Sequence, residues 1–349
     1  MPVKVIVLMD KIVNPNCGLG RVAIDFSQAL IELNDNEIEL SFLVYGKSEK
    51  HFFNNQPVKR MHFFHRYVPF SLDGFQIFHL THQLPSFKTK GAVKIILTIH
   101  DLNFLHTKSK SKAEKYLSKV QRNVDRADAV VFVSNYTKDE CLKHLSIPSH
   151  KKTCIIYNGV ELPRAEPVKP ALFSEGKYLF SIGQFLAKKN FHVLIPFLKK
   201  LPDDIKLIIA GENRTTYGAF TRKLIVENGL QQRIILAGPV SEAEKLFLYR
   251  HCTAFVFPSL AEGFGLPVLE AMRAGKPVFC SDKTSLKEIG GQYVHFWESF
   301  DPDLMIQVFT AGMVNFTELK RKEAYDYSLN FTWAENAKEY IRLYKSLPA

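Results

Sequence analysis

The residues best suited to chemistry are two glutamates, Glu262 and Glu270, with seven residues between them in PSLAEGFGLPVLEAMRAGKP (258–277). Gly263 and Gly265 flank Phe264 in that interval. They let a backbone approach a ligand closely and turn its N–H groups toward it. A carboxylate in the first turn of the helix that follows accepts two hydrogen bonds from vicinal hydroxyls, such as those of a ribose. That is the expectation for Glu270, with Glu262 on the opposite side of the bound group. Taken singly, Glu270 reads as a helix-dipole partner and Glu262 as a solvated loop residue. The Gly-Phe-Gly turn between them, with a strand before and a helix after, favours the ligand reading.

Three further loops carry candidate groups. In SIGQFLAKKNFHVLIPFL (181–198), Gly183 breaks a strand, and Lys188 and Lys189 stand just before a helix expected from Asn190. Two cations at a helix amino end oppose its dipole unless an anion sits there, and a diphosphate suits the place; a solvated lysine pair is the alternative. NPNCGLGRVAIDFSQAL (14–30) matches G-x-G-x-x-A from Gly18 through Gly20 to Ala23, a weak signal taken alone. A dinucleotide-binding fold also needs an acid at the end of its second strand, near Tyr45. Glu37 and Glu39 fall at the beginning of that strand, which argues against an NAD-dependent oxidoreductase. TIHDLNF (98–104) offers His100 and Asp101 at another strand end, where a lone histidine is as readily structural. No phosphate loop, zinc-protease motif or nucleophile elbow is found. Asp301 and Pro302 in the DPD at 301–303 read as the N-cap and first residue of a helix rather than as a metal site.

Short apolar runs alternating with amphipathic stretches must position these loops. Strands are expected at 3–9, 39–45, 76–80, 94–99, 129–133 and 153–157, then at 178–182, 205–210, 233–237, 253–257 and 277–280. Helices are expected at 20–33, 113–125 and 136–145, then at 190–200, 217–229, 242–251, 267–274 and 302–314. Such alternation predicts parallel sheets covered by helices. It is interrupted once, by the proline-rich 159–177. The expected organisation is a first domain over 1–160, a linker over 161–177 and a second domain over 178–330. Open parallel sheets bind ligands beyond the carboxyl ends of their strands, where all four loops fall.

Composition narrows the class. With 349 residues, 46% hydrophobic and 23% charged, the chain suits two globular domains. The stretch MPVKVIVLMD reads as a first strand rather than a leader, and no run is long enough to cross a membrane as a helix. Five scattered cysteines without a CxxC pair are expected as free thiols in a reducing cytoplasm. The net charge is +11, of which +8 lies in residues 1–160. Eight lysines within 88–119 meet only Asp101 and Glu114. That field suits an anionic membrane surface, or is a solvated basic face; nothing resembles a nucleic-acid-binding module, so no nucleic-acid partner is expected.

Together the loops resemble family 4 of the retaining glycosyltransferases. The resemblance is strongest at FVFPSLAEGFGLPVLEAMRAGKPVFCSD (255–282), with support from TIHDLNFLH (98–106), VSNYTKDECLKHL (133–145), IIYNGVEL (155–162), SIGQFLAKKNFHVLI (181–195) and FTWAENAKEYIRLY (331–344). It implies a GT-B architecture: two Rossmann-like doubly wound parallel-sheet domains facing a central cleft, with a carboxyl-terminal helix (331–349) crossing back to the first. It implies a GDP- or UDP-sugar donor with Glu270 on the ribose hydroxyls. Glu262 and the Phe264–Leu266 backbone would face the sugar, Lys189 with Lys188 would lie on the diphosphate, and Gly20 would close over it. His100 is implied near the sugar ring and Val240 at the base; His100, Lys189 and Glu262 are the implied catalytic set. Many relatives carry arginine where this chain has Gln184, which places more weight on the two lysines. The expected activity is transfer of a hexosyl unit, mannosyl being the weakly favoured case, to a lipid-linked or polysaccharide acceptor without metal or cofactor, at the inner membrane face. The basic, aromatic stretches HFFNN (51–55) and MHFFHRYVPF (61–70) are expected to contact lipid and acceptor, core packing being their alternative. A non-catalytic sugar-binding or partner subunit is the competing class.

Overall fold

The computed structural model describes residues 2–347 except 15–16, 35–36, 46–52, 54–55, 86–88, 92, 164 and 173–174. The chain forms two compact units, Met1–Gly159 with Phe331–Ala349, and Val160–Asn330. In the first unit the order is β1 (Val3–Leu8), α1 (Gly18–Leu33), β2 (Ile38–Tyr45), β3 (Val58–Met61), β4 (Phe70–Ser71), β5 (Ile77–Leu80) and β6 (Thr89–Lys90). It continues through β7 (Lys94–Ile99), α2 (Phe104–Thr107), α3 (Lys110–Arg126), β8 (Ala129–Phe132), α4 (Asn135–His144) and β9 (Lys152–Ile155). The second unit runs β10 (Tyr178–Ile182), α5 (Leu194–Lys199), β11 (Lys206–Ala210), α6 (Thr216–Glu227), β12 (Ile234–Gly238), α7 (Glu242–His251) and β13 (Ala254–Phe257). It then adds α8 (Leu266–Arg273), β14 (Val278–Ser281), α9 (Ser285–Gly290), β15 (His295–Trp297), α10 (Pro302–Asn315) and α11 (Glu318–Ser328). The last helix, α12 (Trp333–Ser346), belongs to the first unit.

Among the described residues the main sheets are parallel, ordered β3-β2-β1-β5-β7-β8-β9 and β12-β11-β10-β13-β14-β15. The second is the doubly wound order, in which the chain reverses direction across the sheet between its first and fourth strands. The first has the same reversal between β1 and β5. Central strands such as β8 (AVVF) and β13 (AFVF) are buried at every position, as strands covered on both faces must be. One apolar core contains Leu179, Phe191 and Val256 in the second unit; another contains Ile6, Leu97 and Val130 in the first.

Three expectations need correction. The segment 190–200 is not one helix: Ala187–Lys189 is a 3-10 turn, Asn190 is left-handed (φ 57°), and α5 begins only at Leu194. Pro196 lacks an N–H and fits only a first turn, which sets that start. Lys188 and Lys189 therefore do not sit at a regular helix amino end. Gly18 and Gly20 lie in the first turn of α1, capped by Cys17, rather than in a loop before it. Glu270 is the fifth residue of α8, in its second turn, because the left-handed Gly265 (φ 110°) is the N-cap.

Candidate active site

In the second unit the loops leaving β10 and β13 meet at the switch point of the sheet. Gly183 ends β10 at φ 152°, and a Cβ on Gly211 would fall 2.1 Å from the Gly183 carbonyl, so this turn packs backbone on backbone. Beyond it Lys189 reaches the loop after β13: its Nζ lies 2.6 Å from Glu262 Oε1 and 4.8 Å from the centre of the Phe257 ring. Ser259 Oγ donates to the same carboxylate oxygen at 2.6 Å. The side chains of Lys189 and Glu262 are 11% and 12% exposed. Burial pushes the Glu262 carboxyl up, but the charges of Lys189 and Lys188 and the two hydrogen bonds outweigh it and hold the group below the ordinary glutamate range.

The backbone of that loop is held from the far side. Glu262 N–H donates to Thr284 Oγ1 at 3.0 Å, and Ser285 Oγ donates to the carbonyls of Glu262 and Phe264 at 3.0 and 2.9 Å. Thr284 adopts φ 55°, ψ −137°, a conformation a β-branched residue holds only where its surroundings impose it. The Phe264 side chain and Gly263 are buried, leaving the backbone as the part of this turn that presents polar groups.

Glu270 has partners of its own. Lys245 Nζ lies 3.2 Å from Oε1, and Tyr249 Oη donates to Oε2 at 2.7 Å. Both partners come from α7, four residues apart on one face. Val240 lies half-buried just before the Ser241 N-cap of that helix. Lys188, also half-buried, contributes its carbonyl, which accepts from Leu260 N–H at 2.7 Å. Gln184 is exposed.

In the first unit the corresponding strand ends, of β1 and β5, bring Asp10 and His82 together. His82 Nε2 donates to Asp10 Oδ1 at 2.8 Å, because Leu84 N–H occupies Nδ1. Lys11 holds the other Asp10 oxygen at 3.3 Å. A cavity here is lined by Lys11, His79, His82, His100 and Asn158, with Leu19, Val22 and Phe26 among its apolar walls. His100 is buried, and its Nε2 donates to the Thr81 carbonyl at 2.9 Å. Burial, partly offset by that bond and reinforced by His82, pushes its pKa down to about 4. The neutral ring therefore leaves Nδ1 as a hydrogen-bond acceptor. Asp101 caps the turn that follows by accepting from Asn103 N–H. Gly20 has a packing reason: a Cβ there would lie 2.0 Å from the Asn14 carbonyl, whereas nothing crowds Gly18.

Sequence reasoning missed Ser259, Lys245, Tyr249, Thr284 and the Asp10–His82 pair. Only the Lys245–Tyr249 spacing on an expected helix carried a readable signal. Of HFFNN, residues 51, 52, 54 and 55 lie outside the described residues, and Phe53 is core, stacked 4.5 Å from Phe42. In MHFFHRYVPF, Met61 is buried, but Phe63 and Tyr67 are 68% and 76% exposed. Glu49, the first acid beyond Tyr45, also lies outside the described residues. Asp301 caps α10, accepting from the N–H groups of Asp303 and Leu304. Among the described residues no three His, Cys, Asp or Glu side chains converge as metal ligands, and no helix is long and apolar enough to cross a membrane.

Residues 18–164 match the Glycosyltransferase Family 4 model and residues 164–303 the Glycosyl transferases group 1 model. The chain is 25% identical to O-antigen chain mannosyltransferase B of Escherichia coli, over 99% of this chain and 100% of that one. It is 30% identical to O-antigen chain mannosyltransferase RfbU of Salmonella typhimurium, over 57% and 56% of the two chains. Among solved structures, Anabaena HepE in complex with UDP and glucose superposes with a TM-score of 0.75 at 16% identity, covering 99% and 100% of the two chains. The chain belongs to the group 1, family 4 glycosyltransferases and has their GT-B fold.

Proposed function

We propose that this protein is a retaining hexosyltransferase that moves a sugar, with mannose favoured, from a GDP- or UDP-sugar to a lipid-linked or polysaccharide acceptor in surface-glycan assembly. The observation that carries the reading is the largely buried Lys189–Glu262 pair at the β10/β13 switch point. A fixed ammonium there stabilises the charge that grows on a departing diphosphate, and so supplies without metal what a metal ion otherwise provides. In this reading the bond from the anomeric carbon to the phosphate oxygen breaks, and its electron pair stays with the phosphate. The acceptor hydroxyl oxygen bonds to that carbon from the same face, and its proton passes to the departing phosphate oxygen. No strong protein base is required. Glu270 takes the ribose hydroxyls, Val240 the base and the 263–266 backbone the sugar. His100 Nδ1 accepts from a sugar hydroxyl, and Gly20 approaches the diphosphate. The relatives named as O-antigen mannosyltransferases support the mannosyl and surface-glycan parts of the reading.

The acceptor and membrane side is assigned to the first unit. Exposed Phe63, Phe64, Tyr67 and Val68, with exposed Lys110, Lys112, Lys115 and Lys119 on α3, suit an anionic bilayer surface on the cytoplasmic side. The test is a thermal-shift screen against UDP, GDP, CDP and NAD, followed by transfer assays with the matching nucleotide-sugars in excess chelator and NMR of the product anomer. A ligand at one hundred times its Kd adds about 2.7 kcal/mol. A shift with UDP or GDP and a product of unchanged anomeric configuration are expected. A shift with NAD alone, an inverted product or chelator-sensitive transfer would refute the corresponding part.

A further inference from the structure

Resting on the donor reading above, we infer that Lys245 and Tyr249 are positioning residues that aim Glu270 at a vicinal diol and so restrict the donor to ribonucleotide sugars. Each Glu270 oxygen accepts one bond, from Lys245 at 3.2 Å and from Tyr249 at 2.7 Å. A carboxylate offers about four lone-pair sites. The two described partners leave one on each oxygen, spaced for two neighbouring hydroxyls that both donate. An ammonium donor is a poorer match, because Lys245 already supplies the positive charge.

The holders are themselves held. Tyr249 is fully buried and packs against Phe180 and Phe255 with centroid distances of 5.0 and 5.3 Å. The Lys245 side chain is 10% exposed and is also paired with Glu242 at 3.0 Å. The start of α7 is fixed by a reciprocal cap between Ser241 and Glu244. Both holders therefore project from a helix docked in the core, and Glu270, itself 13% exposed, has no other described hydrogen-bond partner to choose. A carboxylate fixed before the ligand arrives loses little freedom on binding. The geometry rewards two hydroxyls and leaves an oxygen unmatched when one is missing. Deoxyribonucleotide-linked sugars, which lack the 2′-hydroxyl, are thereby disfavoured.

The experiment measures binding of UDP, GDP and the 2′,3′-dideoxy form of each to the full chain and to Tyr249→Phe, Lys245→Met, Lys245→Arg and Glu270→Gln. Wild type is expected to prefer its ribonucleotide at least tenfold over the dideoxy form. Tyr249→Phe and Lys245→Met should weaken the ribonucleotide about tenfold while leaving the dideoxy form within twofold; Lys245→Arg should restore most of the loss. With a nucleotide-sugar, KM should rise and kcat at saturation should hold. Equal losses for both nucleotide forms indicate a merely structural role and overturn the inference, as does no loss for either. If wild type binds neither UDP nor GDP, the donor reading itself fails, a result distinct from either of those. Since Tyr249 lies in the core, Lys245→Met provides the independent arm should Tyr249→Phe not fold.

Discussion

Replacing Lys189 by methionine removes the ammonium 2.6 Å from Glu262 while keeping most of the side-chain volume beside Phe257. The carboxylate, 12% exposed in the native pair, then keeps among the described residues one short hydrogen-bond donor, Ser259. Breaking one side of a buried pair costs about 3–5 kcal/mol, and the residual exposure here places the loss near the low end, about 3 kcal/mol. Lys189→Met/Glu262→Gln removes both charges and should recover about half of that, giving a coupling of at least ~1.5 kcal/mol in the double-mutant cycle. The two tryptophans make the measurement local: Trp297 lies in the second unit and Trp333 in the first. In a Trp333→Phe background, urea unfolding followed by Trp297 fluorescence reports the second unit alone. The pH dependence adds a sign. Glu262 is held below the ordinary glutamate value, so the pair's contribution is complete above pH ~4.5 and is lost as pH falls through the lower native value. The gap between wild type and Lys189→Met should close over that acid range. Additive single-mutant effects, or a gap that persists in acid, would refute the argument.

Thr284 provides a second test, because glycine relieves its backbone while alanine does not. Thr284→Gly should be more stable than Thr284→Ala by about 1–3 kcal/mol in thermal unfolding, the reverse of the usual order, and both should transfer sugar more slowly. The same or better stability in the alanine variant would mean that no strain is held there. His79 and His100 are buried, and burial pushes them down to about 3 and about 4. Below pH ~6.5 the unfolded chain takes up protons the folded one refuses, so the first unit should lose about 1.4 kcal/mol per pH unit per histidine between roughly pH 6.5 and 4. Trp333 fluorescence in urea at stepped pH, with Trp297→Phe, measures that slope; His79→Gln should flatten it, and an unchanged slope counts against the assignment. Asp301→Ala should cost about 1 kcal/mol through loss of the α10 cap, with transfer activity intact in chelator. Abolished activity would restore DPD as a functional element.

The central strands were readable because burial on both faces leaves nearly continuous apolar runs, as in VKVIVL, KIILTI and AFVF. β3 (VKRM) and the three-residue β15 were not. Both lie at sheet edges, where a strand is defined by its neighbour's hydrogen bonds as much as by its own side chains. The short α9 and the polar α11 were likewise unannounced. Helix boundaries were off where a single residue's conformation decided them, as with left-handed Asn190 ahead of α5.

What the sequence determined alone was the inventory at strand ends: Gly183, the lysine pair, and the two glutamates around Gly-Phe-Gly. Residue type and order along one chain suffice for that. Tertiary structure decided the pairings. Lys189 and Glu262 are 73 positions apart and meet because β10 and β13 are neighbours in the sheet. Glu270 meets Lys245 and Tyr249, 25 and 21 positions away, because α7 and α8 both reach β13. Thr284 enters from a third loop, after β14. Charge state and orientation depend on burial and on partners distant in sequence, and only the assembled sheet brings those partners within a hydrogen bond of one another.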